Sequence, residues 1–181
     1  MTEEGVIEVV NKLITFIGLF LVLVSSAHAE SWQVVRAAPN TGTKWVATVK
    51  NSAGDRLSIW RKINGFNYEA YAKLELAKHE FDDTMPLYRI DNGPVEDTLV
   101  IKLAGQNLDL EWGHVSGRVA QWRVWSSTEP ELRKDDSLRP WLTGRKITIT
   151  YTDASGKRRK TSFSLKGSAK AIKKAITGPF M

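Results

Sequence analysis

Cysteine is absent from the 181 residues, which excludes disulfides, a thiol nucleophile and a lipid-modified cysteine at a processing site. Histidine is scarce, with three in the chain, and no G-x-S-x-G elbow places a serine for nucleophilic attack. Glycine-rich phosphate loops and paired CxxC motifs are missing as well. His79-Glu80-Phe81-Asp82-Asp83 is the one cluster of metal-ligand types, and it lacks a second histidine at ligand spacing, so it reads as a polar loop. His114 sits between glycines and reads as a hairpin turn. The adjacent pairs Asp82-Asp83 and Asp135-Asp136 make no acid/base dyad by themselves, because neighbours on a strand point to opposite faces. No catalytic, cofactor-binding or metal-ligating residue is therefore assigned, and the reading is of a protein that is not an enzyme.

Long hydrophobic runs are lacking too. The longest, Leu13 to Val24, is twelve residues, against about twenty for a membrane span. It follows Lys12 and ends in Ser25-Ser26-Ala27-His28-Ala29, small residues of the A-x-A type, so residues 1–29 read as a secretory signal peptide cleaved between Ala29 and Glu30. Glu3, Glu4 and Glu8 stand where a leader is usually basic, which points to a true translation start near residue 10. The mature chain, residues 30–181, is then a single exported domain without a transmembrane span, periplasmic in the first instance, with the outer surface or secretion as alternatives.

What the mature chain does have is aromatic bulk, alternation and an uneven charge. All seven tryptophans follow residue 30, and each buries a large apolar area that a disulfide-free domain needs. Strands are expected at Ser31–Arg36, Thr43–Lys50, Leu57–Ile63, Leu87–Ile90, Thr98–Leu103, Leu108–Trp112 and Arg118–Trp125. Asn64-Gly65 predicts a type I′ hairpin turn. After it Phe66, Tyr68, Ala70, Ala72, Leu74 and Leu76 alternate, so strand is preferred there over the helix that the same residues could form. A helical turn is expected at Glu129–Lys134. Trp45, Trp122 and Trp141 lie on the apolar phase of their segments and read as core. Trp60 and Trp125 fall out of phase, either covering a second face or standing exposed where a sugar could stack.

The end of the chain is a strand, a turn, a strand and a helix. Ile147, Ile149 and Tyr151 alternate with Lys146, Thr148 and Thr150, Asp153-Ala154-Ser155-Gly156 turns, and Thr161, Phe163 and Leu165 alternate with Ser162, Ser164 and Lys166 on the return. Ser168 is a candidate cap for a helix with Ile172 and Ile176 on its apolar stripe and Lys170, Lys173 and Lys174 opposite. The fold expected is all-β, a β-sandwich or flattened barrel of short antiparallel strands with a short C-terminal helix. Arg145 to Met181 holds ten basic residues and one acidic, whereas residues 30–144 are near neutral. For an exported protein the available polyanions are lipopolysaccharide, anionic lipid and wall polymers rather than nucleic acid. Lys157, Arg158, Arg159, Lys160, Lys170, Lys173 and Lys174 are the candidate anion-binding surface, if the helix docks with its isoleucines inward. The alternative is a solvated rim that guards a sheet edge.

The leader, the early Trp32 strand, Pro86-Leu87-Tyr88-Arg89-Ile90-Asp91 and above all Phe163-Ser-Leu-Lys-Gly-Ser-Ala-Lys-Ala-Ile172 resemble the invasion-associated locus B family of exported bacterial proteins. Members commonly carry cysteines near the mature N-terminus, which this chain lacks. The resemblance implies a periplasmic or surface β-sandwich, linked in some members to host-cell colonisation, with no catalytic residues to carry over. The function expected is a binding or accessory role in the cell envelope, toward an anionic lipid, lipopolysaccharide or another envelope protein. An envelope hydrolase built around His79 or His114, and a basic adaptor on anionic lipid, stand as alternatives.

Overall fold

The structure, a computed structural model, describes residues 30–38, 43–97, 113–129, 131–133 and 137–178. The expected signal segment with its expected cleavage after Ala29 and the strands expected at Thr98–Leu103 and Leu108–Trp112 lie outside these residues, as do Asp135 and Asp136.

The described elements are strands β1 (Gln33–Arg36), β2 (Trp45–Lys50), β3 (Arg56–Asn64), β4 (Asn67–Glu75), β5 (Leu87–Ile90), β6 (Val95–Asp97), β7 (Gly113–Ser116), β8 (Val119–Ser127), β9 (Lys146–Thr152) and β10 (Arg158–Ser164), with helices α1 (Arg139–Thr143) and α2 (Ser168–Thr177). They form two open antiparallel sheets, one ordered β1-β2-β3-β4-β8-β7 and the other β10-β9-β5-β6. The result is a sandwich and not a closed barrel.

Alternation decides the faces. Leu57, Ile59, Ala72, Leu74 and Trp122 of the larger sheet and Ile147, Ile149 and Phe163 of the smaller are at most 1% exposed and meet in one core. The run after residue 66 is strand, as its alternation requires, and it pairs with β3 on one side and β8 on the other. The turn before it is displaced by one residue from expectation. Asn64 pairs with Asn67, so Gly65 and Phe66 are the central residues. Gly65 alone of the two takes a positive φ, +59°, the pattern of a type II′ turn. Phe66 stands exposed at its tip.

Trp125 corrects the sequence reading of an exposed or second-face aromatic. The register between β4 and β8 shifts between Ala70, opposite Trp125, and Tyr71, opposite Arg123. Val124 is the extra residue of this bulge, so both Val124 and Trp125 reach the core, each 3% exposed. A bulge breaks the period of two, and the phase of Trp125 is its signature. Trp60 keeps the regular phase of β3, and on the outer face of the larger sheet it stacks on Tyr71 across the strand pair.

Between β8 and β9 the described residues of Glu129–Lys134 form no helical turn; Arg133 pairs with Glu129. The short helix is instead α1, which drives Trp141 fully into the core. Gly144 ends it, and no larger residue fits there, since a Cβ would lie 2.4 Å from Ile90 Cγ2 and 2.7 Å from Pro140 O. Helix α2 packs on β2 and β3 through Ile172 and Ile176, which are fully buried. Ser168 is its first residue and not its cap. The Ser168 hydroxyl donates to the Trp141 carbonyl at 2.7 Å, joining the two helices, while Gly167 holds the capping position. At the other end Arg61, whose guanidinium is pushed down in pKa by burial, donates to the Gly178 carbonyl at 2.9 Å. A cation beside the last free carbonyls of a helix complements its dipole.

Candidate functional site

The β9–β10 hairpin builds the most basic region. Its turn is held by Asp153, whose carboxylate accepts from the Ser155 hydroxyl at 2.5 Å, from the backbone N–H of Ser155 and Lys157, and from the Arg159 guanidinium. The Ser155 hydroxyl and then Arg159 hold this carboxyl well below the usual carboxylate range. A carboxylate with a depressed folded-state pKa stabilises the fold above the unfolded-state pKa, near 3.9, and that stabilisation is lost as pH falls toward the folded-state value. Asp153→Asn is therefore expected to lower the urea midpoint at neutral pH. The gap between variant and native protein should close as pH drops below about 4. A gap independent of pH would mean that the charge of Asp153 contributes nothing.

Pairing parity fixes which atoms of β10 face outward. The bonds from Asp153 N to Lys157 O and from Leu165 N to Arg145 O mark the odd-numbered residues of β10 as those bonded to β9. The N–H and C=O groups of Arg158, Lys160, Ser162 and Ser164 point away from it, along the side of β10 that no other strand among the described residues takes. At one end that edge is occupied. Ser164 N–H donates to the Glu30 carboxylate, the Trp32 indole donates to Ser164 O at 2.8 Å, and Asn51 Nδ2 donates to Ser162 O at 3.1 Å. Behind it Thr161 donates to Asp55 at 2.6 Å and accepts from Asn51 at 2.8 Å, and Asp55 accepts from Ala77 N–H. Asn51, Asp55 and Thr161 are buried, so this network is a polar brace between the turn after β2 and the edge of the other sheet.

A groove of about 970 Å³ runs along this edge. The hairpin cations Lys157, Arg158, Arg159 and Lys160 line it, with Arg145, Lys146, Lys166 and Lys78. Lys170, Lys173 and Lys174 do not. They belong to α2, which lies against the larger sheet, and Lys174 sits 5.0 Å over the Trp45 ring. The seven candidates thus fall into two groups, with Arg159 committed to Asp153. Arg145, Lys146 and Lys166 complete the groove, and alternation along β9 and β10 was a signal for Lys146.

On the outer face of the smaller sheet, beside and along the rim of the groove, the outward side chains form flat rows. Arg158 pairs with Thr152, Lys160 with Thr150, Ser162 with Thr148 and Ser164 with Lys146, and Arg89 of β5 extends the Thr148 row. Lys146, Arg158, Lys160 and Arg89 are exposed. The rows on β9 and β10 hold no carboxylate.

The histidines are apart in the fold. His79 lines the groove half-buried, and His114 is exposed on β7, at the far edge of the larger sheet. The two carboxylates of the groove, Glu30 and Asp55, already accept the bonds described above. Among the described residues no three histidine or carboxylate side chains gather as metal ligands would, and no helix is long and apolar enough to cross a membrane. Compared with known proteins, the chain matches no family model, no curated protein and no solved structure.

Proposed function

We propose that this protein is a non-enzymatic binding module of the bacterial cell envelope that lays the outer face of its smaller sheet on anionic lipid or lipopolysaccharide. The observation that carries the reading is the outer face of β9 and β10, whose rows hold no carboxylate and in which Lys146, Arg158 and Lys160, with Arg89 of β5 beside them, surround the hydroxyls of Thr148, Thr150, Thr152 and Ser162. Strands rise about 3.4 Å per residue and lie about 4.8 Å apart, so Arg158 and Lys160 stand about 7 Å apart and Lys146 and Arg89 about 8 Å, each pair within about one Debye length. The hydroxyls add hydrogen-bond donors for phosphate oxygens. Export rests on the leader-like segment, and an envelope role is what the resemblance to the invasion-associated locus B proteins implies. The hydrolase alternative draws little from the groove, because Glu30 and Asp55 are engaged in holding the fold.

Each basic residue near an anionic membrane surface contributes about 1 kcal/mol. Lys146→Gln, Arg158→Gln and Lys160→Gln together should weaken binding to phosphatidylglycerol vesicles about a hundredfold, with little change in folding stability. Cosedimentation measures it. Native protein should also release as ionic strength rises from about 0.05 to about 0.5 M. Equal binding to neutral phosphatidylcholine vesicles, or no loss in the triple variant, would overturn the reading.

A further inference from the structure

The main-chain edge of β10 has chemistry that a lipid face does not use. Arg158 to Ser162 runs about 14 Å along the groove, the length of a five-residue strand. The outward N–H and C=O of Arg158 and Lys160 and the outward N–H of Ser162 have no partner among the described residues, whereas Ser162 O and both groups of Ser164 are satisfied by side chains. The unpaired half is walled on its other side by Asn51, Ser52 and Ala53 of the turn after β2, and by Lys78 and His79. An extended chain laid in this channel would continue the sheet β10-β9-β5-β6 by one strand.

The charge of the rim selects the occupant. A second copy of this chain, paired edge to edge, would bring Lys157, Arg158 and Lys160 against their own counterparts, and like charges set opposite on paired strands repel. An acidic strand meets the opposite situation, with Lys78, Lys157 and Lys166 placed along the channel to receive its side chains. The fold contains a precedent on the same edge: the Glu30 carboxylate takes the Ser164 amide. We infer that the free edge of β10, from Arg158 to Ser162, takes up an extended acidic segment of another envelope protein by strand addition. Main-chain hydrogen bonds supply the affinity in this mode, and flanking side chains supply the selection. This goes beyond the lipid-facing reading and uses backbone atoms rather than the outer side chains.

The test uses the mature chain and a seven-residue peptide alternating glutamate with threonine. Binding is read by fluorescence anisotropy and by the amide resonances of Lys160 and Ser162. The peptide should saturate the protein and shift both amides. N-methylation of alternate peptide residues, in whichever of the two phases faces β10, should weaken binding about tenfold or more, because each methyl removes a donor to the edge. Lys160→Pro removes one edge donor without touching the ladder to β9, as proline on a sheet edge with its nitrogen outward permits. It should weaken peptide binding more than Lys160→Gln does, while vesicle binding should fall equally in both. If Lys160→Pro fails to fold, the two N-methylated phases still decide the matter. Equal affinity of plain and both N-methylated peptides, or no shift at Lys160 and Ser162, would overturn strand addition. A protein that binds vesicles but not the peptide would overturn it and leave the lipid reading standing.

Discussion

Arg123→Met is expected to destabilise the fold by about 3 kcal/mol, read as a lowered urea midpoint at unchanged slope. On the outer face of the larger sheet Arg123 Nη1 lies 2.6 Å from Glu69 Oε1, and the Tyr71 hydroxyl donates to Glu69 Oε2 at 2.8 Å. Glu69 is 2% exposed although it lies on the side of β4 that carries the half-exposed Lys73 and Glu75. Removing the guanidinium leaves a buried carboxylate without its counter-charge, and breaking such a pair from one side costs far more than the pair contributes. Glu69→Gln added to Arg123→Met should therefore recover much of the loss, since a neutral amide needs no counter-ion and can still accept from Tyr71. A loss below about 1 kcal/mol in the single variant, the range of exposed ion pairs, would show that water already screens the site.

Trp141→Ala is expected to cost about 3–5 kcal/mol, as for other fully buried aromatic truncations. Trp141 is 0% exposed and its ring centroid lies 5.3 Å from that of Tyr88. Burial pushes the Tyr88 hydroxyl up to about 12, with Glu96 adding to the effect. The Trp141 carbonyl also accepts from Ser168, the first residue of α2. Truncation thus opens a cavity where the core, α1 and the start of α2 meet. Trp141→Phe, which keeps a ring in place, should cost distinctly less. Thermal unfolding with near-ultraviolet circular dichroism reads both. Equal, small effects would mean that α1 repacks freely and that the joint to α2 carries little.

The alternation of Ile147, Ile149 and Tyr151 with Thr148 and Thr150, and of Thr161, Phe163 and Leu165 with Ser162 and Ser164, was legible in the sequence. So were the all-β class, the apolar stripe of α2 and the concentration of cations after residue 145. Each is a local pattern, because a strand repeats every two residues and a helix every 3.6 whatever lies beyond it. The larger failures of local reading depend on pairing between distant segments. Trp125 looked misplaced because the bulge that turns it inward exists only in the register of β8 against β4. Lys170, Lys173 and Lys174 part from the hairpin cations because α2 crosses to the larger sheet, where Ile172 and Ile176 find β2 and β3. The Asn51–Asp55–Thr161 brace joins residues more than a hundred positions apart. Above all, nothing in Arg158 to Ser164 marks it as an edge. Among the described residues no other strand takes the second side of β10, and that follows from the topology and not from any local pattern.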